Sequence, residues 1–349
     1  MPYEGADAAT GIPALMSSAP SSLTSKVQPL AFDTGIVALA FLGATPAFVG
    51  ADGSVALAGS LTGGAPVTAQ AHDGTVLSAV SDGKRLVTGG DDGRVAETQA
   101  DGAVRTLAER KGRWIDRVAL SPDGVLAYSA GKTAFVLPAK GEEKSLDVPS
   151  TVGGLAFAPK GLRLAIAHYG GVTLWFPNAA ATKPELFGWK GSHLGVTFSP
   201  DGRFLVSTMQ EAALHGWRVV DGAHMRMSGY PSRVKSFAFT ADGKWLATSG
   251  SGEAILWPFQ AKDGPMGKQP AMLAPSPSSR VTVVAPHPKD PVVALGYEDG
   301  MVMMARISDG AEILLRAPDG AAVSAIAWHA AGGAVAFATT TGAAGLLAF

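Results

Sequence analysis

The sequence predicts an all-β fold: an eight-bladed β-propeller of four-stranded antiparallel blades. Three observations lead there. An Asp-Gly turn between two apolar runs recurs, as Val80-Ser-Asp-Gly83, Leu120-Ser-Pro-Asp-Gly124, Phe198-Ser-Pro-Asp-Gly202 and Phe239-Thr-Ala-Asp-Gly243. Aligned on that turn, equivalent positions fall at Thr45, Gly83, Gly124, Gly161, Gly202, Gly243, Asp290 and Gly332. Spacing of roughly 40–45 residues with four strands per unit is the signature of a propeller blade. The runs themselves are short, apolar and bounded by Gly, without the sustained 3.6-residue period of capped helices.

In chain order, residues 1–22 are rich in Ala, Ser, Pro and Gly, and read as a flexible N-terminal arm. Residues 23–349 then form a single domain. Lys26–Phe32 alternates apolar and polar residues and has no hairpin partner beside it. Each following unit supplies three runs joined by tight turns and a fourth, more polar run. Unit six shows the pattern: Val234–Phe239 enters the turn, Trp245–Ser249 leaves it, and Ala254–Trp257 follows. The stretch 258–279 carries Pro258, Pro265, Pro270, Pro275 and Pro277 and reads as an extended loop inserted in one blade. The last unit has Val323–Trp328, Ala334–Phe337 and Gly345–Phe349 but no fourth run. Lys26–Phe32 is the strand available to complete it, which closes the ring and protects its edges. The alternative is seven regular blades with one degenerate unit outside the ring.

Charged residues make up only 16% of the chain, and 28 Lys+Arg nearly balance 29 Asp+Glu for a formal net charge of −1. That balance argues against a dedicated nucleic-acid binder, which shows a basic excess, and leaves room for a local basic patch. With no cysteine, disulfides and thiolate chemistry are excluded. Met1–Asp7 has neither a basic nor an apolar leader region, and no run reaches the length of a membrane span. The expectation is a cytoplasmic monomer with no membrane association.

The Phe-Ser-Pro-Asp-Gly-Arg turn, an apolar strand and a Gly-rich turn ending in Trp together resemble the WD-repeat family over about residues 24–349. The terse, Ala-rich repeats look most like its bacterial members. In that family a His, a Ser or Thr, an Asp and a Trp form a hydrogen-bonded set in each blade. The resemblance places the His at His72 and His193, the Asp at Asp52, Asp92 and Asp299, and the Trp at Trp175, Trp217 and Trp257. The sets are incomplete. His72, Thr88 and Asp92 have Thr98 where the Trp belongs, and His193, Ser207 and Trp217 have Gln210-Glu211 in place of the Asp.

The sequence contains no nucleophile elbow, no His-Glu-x-x-His and no phosphate loop, so a non-enzymatic reading without cofactor is preferred. By the family geometry, loops before the first strand and between the second and third share one face. These loops carry the candidate partner-binding residues Arg113, Trp114, Tyr169, Tyr230, Arg233 and Arg280, residue types enriched in interface hot spots. The expected partner is a protein or peptide. The competing reading of the three arginines is a solvated rim with intramolecular ion pairs. His168 and His193 stand on neighbouring units as candidate metal ligands, but two ligands are too few for a structural zinc site. The preferred reading makes His193 a hydrogen-bonding residue within its blade and His168 a solvated loop residue. The alternative function is a propeller hydrolase or lactonase, or a metal-binding protein, with its site at the central channel.

Overall fold

The structure, a computed structural model, describes residues 21–59, 61, 65–179 and 181–349. Most of the expected arm, residues 1–20, lies outside the described residues. Its last two residues depart from the expectation: Ser21–Ser22 is a short strand paired in parallel with Ile313 and Leu314.

The chain is an all-β propeller built of antiparallel meanders. In the second unit, for example, Val76–Ser81, Arg85–Gly90, Arg94–Gln99 and Val104–Glu109 pair in sequence order. The recurrent turn explains how each meander starts. In Ser199-Pro-Asp-Gly-Arg203, the Asp201 carboxylate accepts hydrogen bonds from the Ser199 hydroxyl at 2.6 Å and the Arg203 N–H at 3.0 Å. Gly202 takes φ +76°, a conformation that costs a side-chain-bearing residue. In the first unit this role belongs to Gly43, at φ +56°, and Thr45 begins the next strand.

The expectation of eight separate blades is corrected: the described residues form seven hydrogen-bonded sheets. The reduction does not come from a unit left outside. Units four and five are fused through one strand, Glu185–Phe198. Its first half pairs with Gly171–Leu174, and its second half pairs with Leu205–Met209. No proline interrupts this run, so Trp189-Lys190-Gly191-Ser192 passes from one sheet to the next without breaking the strand. The Trp189 ring anchors the passage by stacking on His215, 3.9 Å between centroids and 16° from parallel.

First strands pack against one another around the ring. Ile36–Leu42 meets Val76–Ser81, which meets Arg117–Leu120; at the far side Val323–Trp328 returns to Ile36–Leu42. Where Glu185–Phe198 faces the sixth unit, the Phe237 ring lies over Gly195. Side-chain hydrogen bonds stitch these seams. The Val118 N–H donates to Ser78 Oγ at 3.1 Å, the Val284 N–H to Ser236 Oγ at 3.0 Å, and the Thr282 hydroxyl to the Val323 carbonyl at 2.7 Å. Between them lie apolar clusters such as Phe204, Val206, Leu214, Leu246 and Phe259, all fully buried. Burial of each such side chain contributes roughly 1.5–3 kcal/mol.

The N-terminal strand completes the last unit. Gln28–Ala31 pairs antiparallel with Ala343–Leu346, and Leu30 packs into the cluster around Phe48 and Leu346. The stretch 258–279 is not a loop throughout: Ala271–Leu273 is the sixth unit's fourth strand, paired with Ala254–Leu256.

Candidate functional site

The loops before first strands and those between second and third strands form one face, and there they enclose two adjoining depressions. The first, about 310 Å³, is lined by Arg233, Lys235, Ser249, Gly250, Arg280 and Glu298, among others. The second, about 380 Å³, includes Tyr169, Trp189, Lys190, Met209, Glu211 and Arg226. Gln210 borders both. Three cations face one carboxylate in the first and two face one in the second, a local basic excess in a chain of formal net charge −1. A larger hollow of about 540 Å³ opens among the first-to-second-strand turns Gly43 and Asp82-Gly83. It is built from the repeated hairpins rather than from loops that differ between units.

Of the residues singled out in the sequence, Tyr169, Arg233 and Arg280 line these depressions. Tyr169 is 57% exposed. The Arg233 guanidinium donates to the Gln210 side-chain oxygen at 2.9 Å, and Arg280 pairs with Glu298 at 3.0 Å. The intramolecular pairing expected for the rim therefore holds for Arg280, while Arg233 has, among the described residues, only a neutral partner. Arg113 and Trp114 are exposed in the loop entering the third unit, Trp114 to 64%, and line neither depression.

Tyr230 is corrected from a surface contact to a core residue. It is only 7% exposed. Its hydroxyl is 2.8 Å from Thr248 Oγ1 and accepts the Trp257 indole N–H at 2.6 Å. Burial pushes its phenol up to about 12, so it stays a neutral donor. Tyr230 thus takes the part that His72 plays in the second unit. There His72 Nε2 bonds Thr88 Oγ1 at 2.7 Å and His72 Nδ1 bonds Asp92 at 3.0 Å. Thr98, standing where the Trp would be, is fully buried, and its hydroxyl has no partner among the described residues.

His193 does bond within its unit, through Nδ1 to Ser207 Oγ at 2.7 Å and Nε2 to the Trp189 carbonyl at 3.0 Å. Burial depresses its affinity for a proton. His168 is corrected from a solvated loop residue to a buried one within Leu164–Trp175. Its Nε2 bonds Thr173 Oγ1 and its Nδ1 the Tyr169 carbonyl, both at 2.8 Å. All four ring nitrogens of the pair are therefore engaged. Among the described residues, no group of three or more His, Asp or Glu side chains is arranged to hold a metal ion. No helix among them is long and apolar enough to cross a membrane.

Sequence reasoning missed Lys235, Gln210, Trp189, Lys190 and Arg226. Register supplies the signal for Lys235. It lies two residues before Phe237, which pairs with Thr248. The matching places are Val37, Leu77, Asp116, Gly153, Leu194, Thr282 and Ser324, two residues before the pairs Leu39–Phe48, Ala79–Thr88, Val118–Tyr128, Leu155–Ile166, Val196–Ser207, Val284–Leu295 and Ile326–Phe337. None of those seven positions holds a cation; Lys235 breaks the series.

Residues 64–96 and 224–258 match the family model described as WD domain, G-beta repeat. These stretches hold the His72–Thr88–Asp92 and Tyr230–Thr248–Trp257 sets, and they support the WD-repeat resemblance. Telomerase protein component 1 of Mus musculus is 25% identical over 185 residues, 52% of this chain and 7% of the relative. The Rattus norvegicus protein of that name matches to the same extent. The chain thus spans a small fraction of these relatives' length. Among solved structures, the computationally designed Ika8 protein superposes with a TM-score of 0.68 at 20% identity, covering 91% of this chain and 98% of that one. That likeness concerns the fold alone.

Proposed function

We propose that this propeller is a non-enzymatic binding platform, a cytoplasmic monomer that holds a protein or peptide against the face formed by its non-repeating loops. Residues Tyr169, Arg233 and Arg280 form the centre of the contact, with Arg113 and Trp114 as outer contacts on the same face. The observation that carries this reading is the pair of adjoining depressions. They gather cations and an exposed aromatic on loops and strand ends that differ from unit to unit, whereas the hairpin turns of the opposite face repeat. Exposed Arg and Tyr are the side chains that dominate interface energetics. The WD-repeat matches support the same class, since that family generally binds proteins or peptides.

Affinity capture from the native cell with the natural chain and with Arg233→Glu tests it. A protein partner held by the natural chain and lost by the variant is the expected result. Equal capture by both would refute this face as the site.

A further inference from the structure

Resting on the loop-face reading, we propose that the bound segment is acidic. It is an extended peptide that seats a carboxylate side chain among Arg233, Lys235 and Arg280 and lays an apolar side chain in the neighbouring depression against Met209 and Trp189.

Among the described residues, the Arg233 guanidinium bonds only to the neutral Gln210 amide oxygen. The Lys235 ammonium has no hydrogen bond or ion pair among the described residues, although it sits at the rim of a concave site. Glu298 offsets Arg280 alone. Two cations thus converge on one hollow without a carboxylate of their own, where a guanidinium and an ammonium make charge-assisted bonds to an incoming anion.

At the matching position the other registered units carry Val37, Leu77, Asp116, Gly153, Leu194, Thr282 and Ser324, none of them a cation. A lysine there adds nothing to the packing of the ring, as it is exposed. The second hollow differs in character: Met209 is buried at its floor and Trp189 is half-buried beside it. Because Gln210 walls both hollows, one strand-like segment can reach the two with residues close together in its sequence.

Panning a phage-displayed library of random peptides against the folded chain tests the ligand class. The expected outcome is enrichment of sequences with Asp or Glu near an apolar residue. A synthetic fluorescent copy of an enriched peptide should weaken about tenfold or more when its acidic residue is changed to the amide, about 1.4 kcal/mol. It should also bind less tightly as salt rises. Arg233→Gln and Lys235→Ala should each weaken it about fivefold or more. Lys244→Gln removes a cation paired with Asp242 in the opposite-face turn and should leave binding unchanged. No enrichment, enrichment of basic or uncharged sequences, or equal binding of the amide peptide would overturn the proposal. So would oligo-dT binding more tightly than any acidic peptide. If the amide peptide binds equally while Arg233→Glu still abolishes capture of the native partner, the acidic inference falls and the loop-face reading stands.

Discussion

The indole N–H of Trp257 donates to the hydroxyl of Tyr230 at 2.6 Å, and that hydroxyl lies 2.8 Å from Thr248 Oγ1. Thr248 in turn donates to the Ile255 carbonyl at 2.8 Å, so three side chains link two strands and the entry loop of the sixth unit. Tyr230→Phe keeps the ring and removes the relay. The indole N–H and the threonine hydroxyl then lose their shared partner inside the sheet, at a cost of about 1–3 kcal/mol. Urea unfolding should show that loss, while binding at the loop face is unaffected. A variant as stable as the natural chain would show that the relay contributes nothing.

Thr98→Val should act in the opposite direction. The Thr98 hydroxyl is buried without a partner among the described residues, and an isosteric methyl in its place removes an uncompensated polar group. A gain of about 1 kcal/mol is expected in the same unfolding assay. A loss would mean that a bound water satisfies the hydroxyl.

His215 makes stability depend on pH. It is fully buried, neither ring nitrogen has a hydrogen-bond partner among the described residues, and Trp189 and His224 stack against it. Burial first, and then the nearby His224, His193 and Arg226, depress its pKa from the ordinary 6.5 to about 3. The unfolded chain therefore takes up a proton that the folded chain refuses. The stabilisation is complete above about pH 6.5 and declines as pH falls toward 3. The slope of about 1.36 kcal/mol per unit implies a loss of roughly 2 kcal/mol by pH 5. Unfolding measured at pH 7 and pH 5 should show this loss in the natural chain and less of it in His215→Phe. An equal loss in both would assign the acid sensitivity elsewhere.

Removing the closing strand should expose an edge. A chain shortened to begin at Asp33 lacks Gln28–Ala31 and leaves the backbone groups of Ala343–Leu346 unpaired on that side. Exposed strand edges recruit other chains. Size-exclusion chromatography should show larger species for the shortened chain at concentrations where the full chain keeps a single peak. A shortened chain with the full chain's profile would show that closure is dispensable.

Much of the ring was legible because its units repeat. Val323–Trp328 is a strand with the bounds its apolar run suggests, and the Lys26–Phe32 region does complete the last unit. The fusion of units four and five was not legible. Residues 188–192 contain two glycines, and nothing local marks them as strand; pairing of Tyr169 with Ser192 and the Trp189–His215 stack keep them within one strand, with Gly191 at φ +124°. The site was harder to read. Arg233 and Arg280 stand out as cations before first strands, but Tyr230 has the residue type of a contact and the surroundings of a core side chain. Whether it faces outward depends on Thr248 and Trp257, 18 and 27 residues away. Lys235 becomes visible only when strand register aligns the units.

The continuous strand Glu185–Phe198 has a mechanical consequence. At most other seams, neighbouring units meet mainly through side chains and a few cross-seam bonds, which can shear or part by small amounts; the N-terminal segment, paired with the seventh unit at Ser21–Ser22 and with the eighth at Gln28–Ala31, straddles one more. Between the fourth and fifth units the backbone itself is the splice, so a force that spreads the ring is carried there by covalent bonds and paired strands. Any widening that a ligand demands must be taken up at the other seams. Units four and five, which hold Tyr169, Trp189 and Gln210, then move as one plate, and the depression bearing Arg233 and Lys235 lies beside that plate's free margin.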